Sequence, residues 1–402
     1  MSTTTTPAQT PQSWYARLMT ALFHGTLRLD VYTNKVYPTD FNPLYYTGGL
    51  SNVFLLILVI SGIFLFFYYV PSLGGAFSSV DFLSRVPGGV PYGAIIRGIH
   101  RYAADGFLVA VLLHMFRNWF TDRHLFSRDN PWTSGMFMLL FGGFIGFTGY
   151  QLVWDERAQV LTTAFVAMLR TIPAVGGPLA RFFIGGEGIG EQTLVRFMYL
   201  HIGTASTLYL FLWWHYIRLR HPKIWPPSVW VLFTLGLVFL LAGVIPATSG
   251  QPATPGNHPT SFPLDVFFML PVWLLKFLSP GGVVLFSVVL FVVGLAIPYF
   301  SRRETDPEMG VRHAGVAQVV DGNCTGCELC YFDCPYNAII MTTSPTPGLT
   351  KAAANRTLLA VVIESRCVEC GICIGACPFE ALELPKLLER DVQRQVLEAV
   401  QA

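Results

Sequence analysis

Four histidines stand at matched spacing in two apolar segments of the chain. His100 and His114 are 14 residues apart, and His201 and His215 repeat the same interval. Fourteen residues make almost four helical turns, so both histidines of a pair lie on one helix face, about 21 Å apart along the axis. If the two segments form neighbouring helices, His100 faces His201 and His114 faces His215. Each facing pair then offers two axial nitrogens to one haem iron, which predicts two b haems stacked across a membrane.

The residues around the histidines favour the same interpretation. A lone histidine in a membrane helix is more often hydrogen-bonded to a neighbouring helix, but two identically spaced pairs are hard to obtain in that way. Arg97 and Arg117 stand one turn outside the histidines, where cations are placed to meet haem propionates; snorkelling to the membrane surface is the alternative. A flat macrocycle approaches a helix closely where no Cβ intervenes. Two other apolar segments carry glycines at the same 14-residue interval, namely Gly48, Gly62, Gly135 and Gly149.

All eight cysteines lie between Cys324 and Cys377, in two runs that repeat at a period of 43 residues. The runs read CTGCELCYFDCP over 324–335 and CVECGICIGACP over 367–378, so each has the pattern CxxCxxCxxxCP. In this arrangement the fourth cysteine of each run ligates the other of two 4Fe–4S clusters. We therefore predict one cluster held by Cys324, Cys327, Cys330 and Cys377, and a second held by Cys334, Cys367, Cys370 and Cys373. A zinc ribbon is the alternative metal site, although it requires no duplicated run of this kind.

The composition indicates that most of the chain faces lipid. Only 12% of its residues are charged and 52% are hydrophobic, whereas ordinary soluble chains carry roughly 25% charged residues. So few charges cannot cover a soluble surface of this length. A net charge of +2 without a basic run excludes a nucleic-acid binder. Apolar runs long enough to cross a bilayer predict six transmembrane helices, near 48–70, 92–119, 132–153, 194–219, 228–247 and 281–300.

Six spans place both termini on one side of the membrane. The loops predicted on that side hold 11 Lys and Arg residues, and the opposite loops hold five. The positive-inside rule therefore predicts that the termini and the cysteine domain are cytoplasmic, in a bacterial inner membrane. We call the cytoplasmic face the n side and the opposite face the p side. On this topology His114 and His215 bind the n-side haem, and His100 and His201 bind the p-side haem.

The predicted fold class is an all-α polytopic membrane protein with a four-helix dihaem bundle and a small α+β ferredoxin-like domain. We expect a tail and an interfacial helix over 1–47, the dihaem core over 48–225, two further spans with a p-side loop over 226–303, and the dicluster domain over 304–402. Short surface helices are expected over 154–193, and a short amphipathic piece around Pro271. Residues 341–362 predict a surface loop followed by a strand, and 385–402 predict a last helix.

The segments that carry the histidines resemble cytochrome b of the quinol-oxidising bc and bf complexes. The resemblance rests on IIRGIHRYAADGFLVAVLLHMFR (95–117), TGYQLVWDERA (148–158), IPAVGGPL (172–179) and TLVRFMYLH (193–201). It is strong over 45–225 and weaker over 226–300. It implies bis-histidine haems, a four-helix core and quinone as the membrane partner. Residues 318–385 are similar to a bacterial dicluster ferredoxin.

Two departures from the cytochrome b pattern bear on function. Where the family has Leu-Pro-Trp after the third helix, this chain has Val153 in place of the proline. Where the family has Pro-Glu-Trp-Tyr ahead of the last span, this chain has Val272 in place of the glutamate. The resemblance implies that this glutamate takes a proton from quinol at the p side, and valine cannot do so. Asp155 and Glu156 either supply a substitute carboxylate or form only a salt-bridged loop.

We therefore expect a membrane electron-transfer subunit of a quinone-linked respiratory or photosynthetic complex, passing electrons between 4Fe–4S clusters, two b haems and quinone. The expected partners are other subunits of that complex, quinone and membrane lipid. Two alternatives stay open: cytochrome b of a bc-type complex with a modified p-side site, and a membrane anchor that docks a catalytic partner. His221 is expected at the n-side interface. The remaining histidines have no matched partner and are expected at the surface; they are His24, His124, His258 and His313.

Overall fold

The computed structural model describes residues 14–37, 41–85, 89, 92–121, 123–124, 128–219, 222–254, 265, 267–300, 316–334, 336–367 and 371–384. The chain divides into two compact units. The helical unit comprises 45–114 and 129–301, and the cysteine unit comprises 1–44, 115–128 and 302–402. The cysteine unit therefore contains the predicted dicluster domain together with the N-terminal helix and the connection that follows the first histidine helix.

Among the described residues, ten α-helices lie wholly or mainly in the helical unit. They are α2 (Thr47–Phe66), α3 (Ala76–Ser84), α4 (Gly93–Phe120), α5 (Asp129–Gln151), α6 (Glu156–Arg170), α7 (Gly176–Ile184), α8 (Glu191–Ile217), α9 (Ser228–Val244), α10 (Leu270–Leu274) and α11 (Pro280–Phe300). Each of the six predicted long helices has a counterpart, with ends within about four residues of the expected positions. The largest difference is at the end of α2, because the aromatic run after Phe66 stays apolar although the chain already turns there.

Three helices among the described residues are long and apolar enough to cross a membrane, namely Pro43–Phe66, Asp129–Gln151 and Pro280–Tyr299. The apolar helix Ser228–Val244 is shorter. The helices with the paired histidines, α4 and α8, are longer than 25 residues, but they also contain charged side chains such as Arg101, Asp105 and Arg196. Charged residues lower the mean hydropathy of a span without preventing burial inside a bundle. The count of six spans stays a prediction.

Small residues allow the long helices to pack closely. Val53 and Ile57 of α2, Ile99 of α4, and Val238 and Ala242 of α9 form one buried cluster. At Gly98 of α4 an added Cβ would lie 2.9 Å from the Cβ of Ala242, so this contact requires glycine. The region predicted as short surface helices contains α6 and α7, and both bury one side; Ala158, Leu161, Ala180 and Ile184 are almost fully buried.

The cysteine unit begins with α1 (Trp14–Thr33), which lies in the segment 1–47 where an interfacial helix is predicted. Its C-terminal part contains α12 (Leu329–Asp333), α13 (Ile372–Ala376) and two antiparallel strand pairs. Strand β1 (Gln318–Val319) pairs with β4 (Leu382–Glu383), and β2 (Ile339–Thr343) pairs with β3 (Leu358–Val362). The segment 341–362, predicted as a loop followed by a strand, begins inside β2, and its last five residues form β3. The predicted last helix, 385–402, lies outside the described residues.

Candidate functional site

The two histidine pairs face each other as the spacing predicts. In the helical unit, the ring centroids of His100 and His201 are 6.4 Å apart, and those of His114 and His215 are 6.5 Å apart. Two metal–nitrogen bonds of about 2.0 Å, with about 1.1 Å from each nitrogen to its ring centroid, would separate two axial imidazoles by about 6.2 Å. The donor type and the separation of both pairs therefore fit one metal centre between each pair of rings.

A side-chain hydroxyl lies beside the Nδ1 atom of each of these histidines. The Oγ of Ser61 is 2.9 Å from His100 Nδ1, and the Oγ of Ser134 is 3.0 Å from His215 Nδ1. The Oγ1 atoms of Thr47 and Thr148 lie 3.4 Å from Nδ1 of His114 and His201. A partner at Nδ1 holds the ring orientation and favours Nε2 as a metal ligand. Sequence reasoning missed these hydroxyls, although each directly precedes one of the predicted glycines.

Each predicted glycine lies against one predicted histidine. An added Cβ at Gly149 would come 2.6 Å from the imidazole of His201. The corresponding distances are 2.9 Å from Gly48 to His114, 3.2 Å from Gly62 to His100, and 3.8 Å from Gly135 to His215. Distances below about 3 Å are too short for real Cβ atoms. The glycines of α2 and α5 thus allow these helices to lie against the imidazoles, which we call the glycine cradle. A Cβ would fill the space at the tighter contacts.

The two arginines predicted to meet haem propionates have protein partners. Arg97 donates to the hydroxyls of Ser84 and Ser249, at 2.6 and 2.7 Å. In the cysteine unit Arg117 donates to both carboxylate oxygens of Asp30, at 2.5 and 2.7 Å, and both side chains are buried. Their role toward propionates stays a prediction, since charge-paired arginines also stabilise the helix ends directly.

Asp155 anchors the loop that was predicted either as a proton site or as a salt bridge. Its carboxylate is 1% exposed and accepts hydrogen bonds from the main-chain N–H groups of Ala158 and Gly250, at 3.0 and 2.8 Å. Arg157 is 2.8 Å from the same carboxylate. Asp155 therefore caps α6 and fixes the chain at Gly250, which favours the salt-bridged loop. Val272, where the family has glutamate, lies within α10.

A charged group next to the first histidine pair was missed by sequence reasoning. Arg101 follows His100 on α4 and forms ion pairs with Asp105 and Asp265. Asp265 is mostly buried and also accepts from the main-chain N–H groups of Phe267 and Phe268, both at 3.0 Å. Because 164 positions separate Arg101 from Asp265, only the presence of charges in an apolar helix could have drawn attention to them.

Four cysteines line one cavity of the cysteine unit. Its lining includes Cys324, Cys327, Cys330 and Cys377 together with apolar residues such as Leu329 and Met341. These are the four cysteines predicted for the first cluster, so the structure brings that set together. A four-thiolate set around an apolar cavity fits a 4Fe–4S cluster. Of the second set, Cys334 and Cys373 are buried and Cys367 is half-buried, while Cys370 lies outside the described residues.

Burial governs the protonation of these thiols in the metal-free chain. It raises the pKa of Cys377 to about 11, and it also raises the pKa of the Cys330 thiol, where the neighbouring cysteines add to the effect. Thiolates are the ligands of iron–sulfur clusters. Cluster binding must therefore displace protons from these thiols, as metal binding to cysteine does generally.

The expectation that His124 lies at the surface is wrong. His124 is 1% exposed, and its Nδ1 lies 3.4 Å from the main-chain oxygen of Asn118. It is buried because this part of the connection between α4 and α5 packs in the cysteine unit, where Thr121 is buried as well. His221, His258 and His313 lie outside the described residues, as does the side chain of His24.

Comparisons with known proteins match both the region with the paired histidines and the region with the cysteines. The family model for cytochrome b/b6/petB matches residues 32–247, and the model for a 4Fe-4S dicluster domain matches 310–381. Cytochrome b6 of Gracilaria tenuistipitata var. liui is 33% identical over 199 residues, which are 49% of this chain and 91% of that protein. Cytochrome b6 of Chlamydomonas reinhardtii is 32% identical, with the same shares covered.

A solved structure shares the fold. The structure titled "Hyperthermophilic respiratory Complex III" matches with a TM-score of 0.54 and 21% identity. The match covers 64% of this chain and 75% of that chain.

Proposed function

Because this chain belongs to the cytochrome b family and also contains a 4Fe–4S dicluster domain, we propose that it is a membrane electron-transfer subunit of a quinone-linked respiratory or photosynthetic complex. Family membership implies haem b, and the dicluster domain implies 4Fe–4S clusters. The observation that carries the proposal is the occurrence of two facing histidine pairs and a four-cysteine cavity in one chain. The proposed location is a bacterial inner membrane, with the cysteine domain on the cytoplasmic side.

The proposed haem ligands are His100 with His201 on the p side, and His114 with His215 on the n side. The partners at Nδ1, which are hydroxyls for His100, His114 and His215 and the main-chain oxygen of Ile145 at 2.8 Å for His201, would orient each imidazole so that its Nε2 is the metal ligand. The four glycines let α2 and α5 approach the imidazoles closely. Bound haem and bound 4Fe–4S clusters each take up and release single electrons. The protein therefore supplies position, orientation and a water-poor environment.

The proposed cluster ligands are the two cysteine sets defined above. Apolar residues around the first set limit the access of water, and Ala381 donates its N–H to the Cys377 sulfur at 3.4 Å. In the second set, Ala338 donates its N–H to the Cys334 sulfur at 3.2 Å. Hydrogen bonds to sulfur and low solvent exposure are the protein's means of tuning cluster potential.

We place the quinone chemistry at the n-side haem. Val272 supplies no proton acceptor at the p side, and Asp155 is already held by two main-chain N–H groups and Arg157. The p-side haem would then relay electrons to a partner subunit.

One observation favours the second candidate, a bc-type quinol oxidase with a modified p-side site. Two carboxylates, Asp105 and Asp265, share the single guanidinium of Arg101, which leaves one negative charge able to accept a proton.

Iron analysis of the purified native complex tests the cofactor set. We expect two haem irons by pyridine haemochrome and eight non-haem irons per chain. One haem, or four non-haem irons, would contradict the ligand assignment.

Haem that is rapidly reduced by quinol or by the substrate of a partner supports electron transfer. Haem whose redox state never changes during turnover would favour the membrane-anchor alternative.

Inhibitors separate the two quinone sites. We expect compounds directed to the n-side site of bc complexes to block haem reoxidation, and p-side compounds to have little effect. Submicromolar inhibition by a p-side compound would reject this assignment. If a p-side compound does inhibit, Asp265→Asn tests whether Asp265 is the proton acceptor, because this change removes one of the two carboxylates paired with Arg101. The matched change Glu156→Gln leaves both of those carboxylates in place.

A further inference from the structure

The cysteine unit brings together three segments that are far apart in the sequence. These are α1, the connection that follows α4, and the dicluster domain. Asp333, the last residue of α12, lies next to two arginines of that connection. Its Oδ2 is 3.0 Å from Nη1 of Arg123, and its Oδ1 is 3.5 Å from Nη2 of Arg128. Arg128 also donates to the main-chain oxygen of Asp333.

These three charged side chains are largely withdrawn from solvent. Their exposed fractions are 11% for Arg123, 13% for Arg128 and 20% for Asp333. Burial lowers the pKa of the Arg123 guanidinium, and the carboxylate of Asp333 opposes that change. A buried charge without its partner is strongly destabilising. The charge of Asp333 therefore holds the dicluster domain against this connection. Without that charge, Arg123 and Arg128 would lose their carboxylate partner and would have to move into water.

A second contact joins the same two segments without any charge. At Gly375 of α13, an added Cβ would lie 2.5 Å from the main-chain oxygen of Thr121 and 3.5 Å from the ring of Phe23. Thr121 continues α4, because its N–H donates to the main-chain oxygen of Arg117. His114 lies seven residues earlier on that helix. The absent side chain of Gly375 thus permits direct backbone contact between α13 and the end of α4.

Both contacts lie close to predicted cluster ligands. Asp333 directly precedes Cys334, a ligand of the second cluster, and Gly375 lies two residues from both Cys373 and Cys377. The short helices α12 and α13 therefore present both cluster-binding runs to the connection. An electron carrier must be held at a fixed, short separation from its redox partner, and tethering alone leaves that separation variable.

We propose that Thr121, Arg123 and Arg128, in the connection that follows α4, form the intramolecular docking surface for electron exchange between the dicluster domain and the helix that carries His114, with Asp333 as the positioning residue. This rests on the proposed electron-transfer function and names the contact that it uses. On this view Asp333 acts through distance and not through cluster chemistry. The opposing interpretation is that the ion pairs only add to folding stability.

The first test compares Asp333→Asn with Glu364→Gln in the full native complex. Glu364 is an exposed carboxylate of the same domain, and no ion pair of Glu364 occurs among the described residues. The clusters are reduced photochemically with a deazaflavin, and haem reduction is followed by rapid absorption spectroscopy. We expect at least tenfold slower haem reduction in Asp333→Asn, with wild-type cluster signals, haem content and midpoint potentials. Faster hydrogen exchange over 117–124 should accompany the slower transfer.

The charge swap Asp333→Arg with Arg123→Asp provides a rescue, and recovery of the rate supports docking by charge. Equal rates in Asp333→Asn and Glu364→Gln would overturn the docking proposal and leave the proposed function intact. If wild-type clusters never reduce the haems, the proposed function itself fails, and this outcome is distinct because it needs no variant.

If Asp333→Asn loses its clusters, Gly375→Ala takes over the test because it leaves every charge in place. Its control is Gly25→Ala on α1, where an added Cβ meets nothing within 4 Å. Slower transfer with full cluster content in Gly375→Ala supports the docking surface. Unchanged transfer in a fully loaded Gly375→Ala protein overturns it.

Discussion

The histidine region and the cysteine region are both built by repetition, but they assemble over different distances along the chain. The partners His100 and His201 are 101 positions apart and lie on separate helices. In each predicted cluster, three of the four cysteines come from one run of seven residues, and the fourth comes from the other run. The histidine pairs therefore exist only after α4 and α8 have come together, whereas most of each cysteine set is close together before any folding. Packing should thus control haem binding more than cluster binding.

The largest expected effect comes from removing one ligand of a pair. His201→Ala should lose the p-side haem and keep the n-side haem, because the other pair has its own hydroxyls and glycines. Pyridine haemochrome should fall from two haems to one, with unchanged non-haem iron. His215→Ala is the matched variant and should lose the other haem. Loss of both haems in either variant would show that the pairs are not independent.

A graded effect is expected from alanine at the four glycines. The clearance to the facing imidazole predicts the order of damage as Gly149, Gly48, Gly62 and then Gly135, from 2.6 to 3.8 Å. Gly149→Ala should lose most of the p-side haem, and Gly135→Ala should keep its haem with a nearly unchanged spectrum. Gly203→Ala is the control, because an added Cβ there meets nothing within 4 Å. Equal haem content in Gly149→Ala and Gly135→Ala would contradict the idea that close contact between glycine and imidazole is needed for haem binding.

A smaller effect, on stability alone, is expected from Asp155→Asn. The change removes a buried charge that accepts from Ala158 and Gly250 and pairs with Arg157. We expect a loss of about 3 kcal/mol in the free energy of unfolding, seen as a lower Tm, with both haems retained. Glu156→Gln on the same helix should keep the wild-type Tm. Lost turnover in Asp155→Asn at full stability would return this carboxylate to the proton chemistry.

The smallest effect is expected from the hydroxyls. Ser61→Ala removes the partner of His100 Nδ1 but leaves the ring and its helix in place. A hydrogen bond that differs between redox states by about 0.5–1.5 kcal/mol shifts a one-electron potential by roughly 20–60 mV. Redox titration should show this shift in the p-side haem only, and Ser134→Ala should show it in the n-side haem only. A shift of both potentials in one variant would mean that the hydroxyl acts through packing.

The sequence predicted those features that repeat at a fixed interval. The six long helices, the facing histidines, the glycines beside them and the four cysteines around one cavity all follow from periodicity, because helical turns and ligand runs convert spacing directly into position. The hydroxyl residues were within reach of the same reasoning, since Thr47 and Ser61 directly precede Gly48 and Gly62.

Contacts between residues distant in the sequence were not predictable from one chain. Arg101 with Asp265, Arg117 with Asp30 and Arg123 with Asp333 each depend on how loops return to helices. No local sequence pattern shows which distant residue a loop brings next to a helix. A charged residue near a helix end is equally compatible with a solvated surface. His124 was misplaced for the same reason, because its burial depends on packing against segments far away in the chain.

The pairing of α4 with α8 also sets an order of events during biosynthesis. His100 and His114 leave the ribosome about 100 residues before His201 and His215. At translation rates of 5–20 residues per second, each site exists as a single histidine for about 5–20 s. Haem delivered in that interval would find only one imidazole at each site, so stable loading must wait until α8 has been synthesised. The dicluster domain follows the long helices in the chain, so these helices are synthesised before its clusters are built.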